Sequence, residues 1–261
     1  MSFDGTPEIQ NKNRPMKNGK DSFSSVHRFL QRCEALGKST LVRATLMPED
    51  LSRINEIGNF VFKTYPAVSC IQIEPMMPLG RGGALDYQLD QKELYSFADN
   101  YIHAVETFSE KYPTKKLVCT LFEYNLQDYY CSASTGAHPW VHPDGNVYPC
   151  TDRQSEEHRV GRVLDDVFEY NTNFKCLAIN NHKCHSCFAF YQCAGECVMT
   201  IPKDEKGQCA TFQGQLYCNT IQYYWRKVFA ELCRSQRCCD LLAEEITDFP
   251  LKYKAYLIKE I

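Results

Sequence analysis

The sequence predicts an α/β fold class with two textures along one chain. Three observations carry that prediction. Helix and strand signals alternate through the first 115 residues, turn residues multiply from Lys116 onward, and seven cysteines between Cys131 and Cys218 fall on an ordered spacing. With 261 residues and 44% of them apolar, the chain is long enough for a substantial core in one or two domains. A formal net charge of −3 leaves no basic footprint, which excludes nucleic acid as a partner. No run approaches the ~18 uninterrupted apolar residues of a membrane span, and the opening MSFDGTPEIQNKNRP lacks the layout of an export signal. A cytoplasmic protein with no membrane partner is therefore expected.

The elements follow in order. Phe23 to Leu36 has helical periodicity, opens after Asp21-Ser22 and stops at Gly37. Leu41 to Leu46 reads as a short strand closed by Pro48, and Glu49 to Phe62 as an amphipathic helix. Val68 to Glu74 reads as a buried strand ended by Pro75, followed by the Gly- and Pro-rich loop PMMPLGRGG and a helix from Gln91 to Tyr112. Pro139, Pro143, Asp144-Gly145 and Pro149 mark a hairpin whose second strand begins at Asn146 to Tyr148. Val163 to Phe168 is expected as a short helix, and Thr220 to Cys233 as a final strong one, its Tyr223-Tyr224-Trp225 run serving as core and packing surface. No internal repeat or low-complexity run is present.

The seven cysteines read Cys131-x13-Gly145-x4-Cys150, then Cys184-x2-Cys187-x5-Cys193-x3-Cys197, then Cys218. Closely spaced thiolates are what iron–sulfur clusters and structural zinc require, because several sulfurs must reach one centre. Fifteen cysteines is an odd number and no export signal accompanies them, so metal-bound thiolates fit better than a disulfide framework. Structural zinc on Cys184, Cys187, Cys193 and Cys197 is the rival reading. The other eight, Cys33, Cys70, Cys119, Cys176, Cys209, Cys233, Cys238 and Cys239, read mostly as small buried residues or spare thiols. His182 and His185 read as surface or supporting groups, since enough thiols are already at hand.

The cysteine order resembles the SPASM auxiliary-cluster domain of radical S-adenosylmethionine enzymes of the anaerobic sulfatase-maturase and peptide-maturase type. Ser2-Phe3-Asp4-Gly5, Asn11-Lys12-Asn13-Arg14-Pro15, Arg43-Ala44-Thr45-Leu46 and Ile73-Glu74-Pro75 resemble barrel segments of the same enzymes. The resemblance implies the C-terminal part of a partial (β/α)6 barrel over residues 1–115, a SPASM iron–sulfur domain over 116–235, and a helical tail over 236–261. It implies two 4Fe–4S clusters, one held by Cys131, Cys150 and Cys197, the other by Cys184, Cys187, Cys193 and Cys218. For the first cluster the family's fourth-ligand position is Asn125, leaving an open iron or a substitute such as Cys119 or Cys176. Ser2 and Arg43 are the implied S-adenosylmethionine-binding residues, with the backbone near Glu74 lining the same cavity; an Arg43–Glu74 pair is the alternative. The family's CxxxCxxC motif is absent, and Cys193-x3-Cys197 continues to Thr200 instead of a third cysteine. S-adenosylmethionine is therefore expected to act only if the missing barrel half is supplied, for instance by a separate chain. Thr151 stands where sulfatase-maturing relatives carry a catalytic aspartate, which puts an acid–base role for Asp152 in doubt. The implied substrate is a peptide or protein; non-catalytic peptide binding through the clusters is the other reading.

Overall fold

The structure, a computed structural model, describes residues 1–76, 89–122, 130, 131, 133, 138–151, 154–164, 167–171, 184, 186–195, 197 and 212–234. The loop after Pro75, together with Asn125, Asp152, Cys176, His182, His185, Thr200 and the residue 236–261 tail, lies outside the described residues from 77 onward.

A parallel sheet orders strands β1 (Thr40–Leu46), β2 (Val68–Pro75) and β3 (Lys116–Val118). β1 and β2 run in register from Leu41↔Cys70 to Leu46↔Pro75, and β2 pairs with β3 from Cys70↔Lys116 to Gln72↔Val118. Such parallel neighbours need crossovers, and helices supply them. α3 (Ile54–Thr64) joins β1 to β2, and α4 (Gln91–Lys111) lies between β2 and β3. α3 buries Ile54, Ile57, Gly58, Val61 and Phe62, the spacing of one helical face. Gly58 is required there: a Cβ would lie 2.2 Å from Phe108 Cε2 on α4, whose ring is itself in the core. α4 opens on a capping box, with the Glu93 N–H donating to Asp90 Oδ1 at 2.7 Å and the Asp90 N–H to Glu93 Oε2 at 2.8 Å. Caps of this kind contribute about 1 kcal/mol.

The expected helix from Glu49 to Phe62 is divided. A single tight turn spans Pro48–Asp50, and α3 begins only at Ile54. Pro48 starts the turn, and Asp50, 1% exposed, is paired with Arg53 at 3.1 Å. Two helices were not anticipated at their observed extents: α1 (Pro7–Asn13), capped by the Thr6 hydroxyl, and the start of α6 (Phe212–Arg234), eight residues before Thr220. α2 (Phe23–Ala35) matches its expected span to one residue.

A second sheet, antiparallel, orders β4 (Trp140–Val141), β5 (Asn146–Tyr148), β6 (Gly161–Leu164) and β7 (Val167–Tyr170). The β4–β5 hairpin turns where Asp144-Gly145 predicts it. Gly145 has φ +86, and a Cβ there would meet the Val163 carbonyl oxygen at 2.9 Å. The expected helix over Val163 to Phe168 is corrected to the β6–β7 hairpin, with Val163↔Phe168 and Leu164↔Val167 paired. The physical reason is that β-branched and aromatic side chains favour the pleated surface, and the Val163 N–H donates to Gly145 O at 2.7 Å, extending the sheet.

One core spans both textures. Ile71, Ile73, Phe97 and Tyr101 from the parallel unit share it with Ala189, Leu216, Tyr217, Ile221 and Trp225 from the cysteine-rich region. The seam is α6 on α4. Tyr223 stacks on Tyr95 at 4.1 Å, Tyr224 on Phe122 at 4.2 Å, and Gln91 Nε2 donates to Thr220 Oγ1 at 2.9 Å. The run Tyr223-Tyr224-Trp225 is thus packing surface.

Candidate cofactor and metal site

Side chains of the parallel sheet alternate between two faces. Val42, Ala44 and Leu46 of β1 and Ile71 and Ile73 of β2 are buried on one face. Register puts Leu41, Arg43 and Thr45 beside Cys70, Gln72 and Glu74 on the other. Ser2 forms a parallel bridge with Arg43, the Arg43 N–H donating to Met1 O and the Phe3 N–H to Arg43 O, each at 2.8 Å. The two residues expected at S-adenosylmethionine are therefore backbone neighbours. Asp4 fixes this edge from below: buried to 1% exposure, it accepts from the Thr45 N–H at 2.9 Å and from Arg14 Nε at 2.8 Å, while its own N–H donates to Gln10 Oε1. Asp4 and Arg14 lay in the resembling segments with no role attached; their contact, across ten residues, had no local signal.

Arg43 is exposed, and its guanidinium has no hydrogen-bond or ion-pair partner among the described residues. The Arg43–Glu74 alternative is not formed. Glu74, 2% exposed, instead accepts from Gln72 Nε2 at 2.8 Å, the Thr120 N–H at 2.9 Å and Thr120 Oγ1 at 2.6 Å. The reason is topological: Thr120 lies two residues past the end of β3, the strand beside β2, whereas Arg43 sits opposite Gln72. Cys119, 1% exposed, donates its thiol to Glu74 Oε2 at 3.6 Å, and burial, reinforced by the Glu74 charge, pushes that thiol well above its ordinary range. The Cys119 thiol is thus engaged with Glu74 beside the parallel sheet.

The seven motif cysteines are all half-buried. Cys150 follows β5 by two residues, with the hairpin turn locked by Asp144, whose Oδ1 accepts from the Asn146 N–H at 2.9 Å. That backbone bond, then the His142 side chain, hold the Asp144 carboxyl below its ordinary range. Cys184 and Cys187 share a turn closed by the Cys187 N–H to Cys184 O at 3.0 Å. Cys193 ends the single-turn α5 (Phe190–Cys193), where Ala194 at φ +49 and Gly195 at φ +79 reverse the chain. Cys218 lies on α6 and accepts from Gln222 Nε2 at 3.5 Å. Cys187, Cys193 and Cys218 all pack against the same core. Among the described residues, no three His, Cys, Asp or Glu side chains stand together as a metal-holding group. The donor chemistry nonetheless fits a cluster: soft sulfurs, three of them packed against a core that includes Ala189 and Tyr217, and an amide donor on one sulfur. Beside Cys193, the buried Gln192 Oε1 has no hydrogen-bond partner among the described residues.

No family model matches the chain. Two curated relatives, both named cysteine-type anaerobic sulfatase-maturating enzyme and both from Clostridium perfringens, are 23% and 22% identical over 251 residues. The alignments cover 89% of this chain and 65% of each relative, so the chain spans about two-thirds of their length. Native anSMEcpe with bound AdoMet and the Kp18Cys peptide superposes with a TM-score of 0.66 at 20% identity, covering 90% of this chain and 67% of that one. The chain resembles the radical S-adenosylmethionine maturases of the anaerobic sulfatase-maturating type. Streptococcus suis SuiB bound to S-adenosylmethionine shares the fold more distantly, with a TM-score of 0.53 at 11% identity over 82% of this chain and 53% of that one. The resemblance to the maturases thus extends from the cysteine-rich region into the parallel sheet. Among the described residues, no helix is long and apolar enough to cross a membrane.

Proposed function

We propose that this chain is an iron–sulfur-cluster-binding portion of a radical S-adenosylmethionine/SPASM enzyme that modifies a peptide or protein. The observation that carries the proposal is the seven-cysteine spacing on a chain whose fold is that of anSMEcpe. In this reading Cys184, Cys187, Cys193 and Cys218 hold one 4Fe–4S cluster, and Cys131, Cys150 and Cys197 hold the other. When bound, such clusters supply electron acceptors or a ligation point for substrate. The chain's own contribution is to exclude water around the sulfurs through the shared core and to anchor Cys218 through the α4–α6 seam.

At the parallel sheet, the exposed Arg43 guanidinium is suited to the carboxylate of S-adenosylmethionine, and Ser2 lies beside it. Asp4 and Arg14 hold that edge in register. The three thiolates of CxxxCxxC are not in this sequence, so cofactor cleavage rests on a further segment or chain that provides them. The peptide named with anSMEcpe supports a peptide or protein as the substrate class.

Paired variants test the ligand assignment. With independent loading, Cys187→Ala and Cys131→Ala each retain about half the iron and remove different spectroscopic signals. If both variants erase the same signal and spare the other, the assignment of the two sets is wrong.

A further inference from the structure

Resting on the cluster reading of Cys218, we propose that Gln222 is a positioning residue that sets the reduction potential of the cluster held by Cys184, Cys187, Cys193 and Cys218. Gln222 stands one helical turn after Cys218 on α6, so the two side chains share a face. Its amide Nε2 donates to the Cys218 sulfur at 3.5 Å, and Gln222 is itself half-buried. The helix around it is packed against the core. Ile221 and Trp225, on either side along the helix, are buried, and Thr220 is tied to Gln91 at 2.9 Å.

The physical argument concerns charge. Reduction adds an electron to a cluster whose sulfurs already carry negative charge, and an N–H aimed at a ligating sulfur stabilises the reduced form more than the oxidised one. Hydrogen bonds to the sulfurs are among the factors that set such potentials. A side chain one turn away on a packed helix supplies that bond with little loss of freedom. Glutamine also adds no charge, so its effect is directed at one sulfur and does not alter the field at the other cluster.

The test is spectroelectrochemical titration of the anaerobically reconstituted full chain, with Gln222→Met as the neutral variant of similar length that cannot donate. The expected result is a reduction equilibrium shifted about tenfold toward the oxidised form for one of two clusters, which is about 59 mV for a one-electron couple. Gln222→Leu, likewise neutral and unable to donate, should shift the same potential in the same direction. A Gln222→Met protein with full iron content and both potentials unchanged overturns the inference while leaving the cluster reading intact. A wild-type chain that takes up no iron overturns both. Should Gln222→Met load poorly, Gln222→Leu, a second neutral side chain that cannot donate, is read in its place: a potential equal to wild type overturns the proposal, and one shifted toward the oxidised form supports it.

Discussion

Tyr224 is the side chain whose removal should most clearly separate the two halves of the account. Its ring lies parallel to Phe122 at 4.2 Å, 6.0 Å from Tyr101 and edge-on to Trp225 at 5.2 Å. These contacts tie α6, and with it Cys218, to the end of the parallel sheet. Truncating a fully buried aromatic to alanine costs about 3–5 kcal/mol. Tyr224 is half-buried, so the lower end applies, about 3 kcal/mol, within which the stacked pair supplies roughly 0.5–1.5 kcal/mol. For a protein of this size each kcal/mol moves the melting temperature by about 2–4 °C. Tyr224→Ala should therefore melt about 6–12 °C lower. The hydroxyl has no hydrogen-bond partner among the described residues, and burial pushes the phenol well above its ordinary range. Tyr224→Phe should accordingly stay within about 0.5 kcal/mol of wild type. The assay is thermal unfolding followed by circular dichroism under argon, with iron content measured on the same samples. Equal melting temperatures for Tyr224→Ala and wild type, or equal losses in the Ala and Phe variants, would refute the seam as described.

Two further predictions follow. Tyr65, buried beside His27 Nδ1 at 2.8 Å, has its phenol pushed up to about 12 by burial, so the folded state keeps a proton that the unfolded chain releases near 10. Stability should be fully present below about pH 10 and fall as pH rises toward 12, and Tyr65→Phe should flatten that slope in an alkaline melting series. Incubated with dithionite and S-adenosylmethionine, this 261-residue chain alone should release no 5′-deoxyadenosine, because its sequence holds no CxxxCxxC; turnover detected by chromatography would mean that an auxiliary site such as Cys131, Cys150 and Cys197 does the radical-generating work.

The sequence made the parallel strands legible because their signals are local. Val42, Ala44, Leu46, Ile71 and Ile73 are apolar runs bounded by proline and turn residues, and they became the buried face of β1 and β2. Gly145 was legible for the same reason, as a tight turn flanked by strand residues. The β6–β7 hairpin was not. Val163, Leu164, Val167 and Phe168 also satisfy a helical spacing, and over so short a run the period cannot decide; the pairing of Val163 with Gly145 across the sheet does. The division at Pro48–Asp50 turned on one buried carboxylate, Asp50, and its partner Arg53. At the site, cysteine spacing named the candidate ligands, but the adjacency of Ser2 and Arg43, the Asp4–Arg14 anchor and the Gln222–Cys218 contact depend on packing. Of these, only the last is local in sequence, and a glutamine four residues after a cysteine is too common to single out.

The most direct measurement is the metal content of the anaerobically reconstituted chain, by iron and acid-labile sulfide assay with Mössbauer spectroscopy and parallel zinc analysis. Two 4Fe–4S clusters on the seven cysteines predict about eight irons and a matching amount of sulfide per chain. Stoichiometric zinc without sulfide would contradict the account and leave Cys184, Cys187, Cys193 and Cys197 as a structural zinc site.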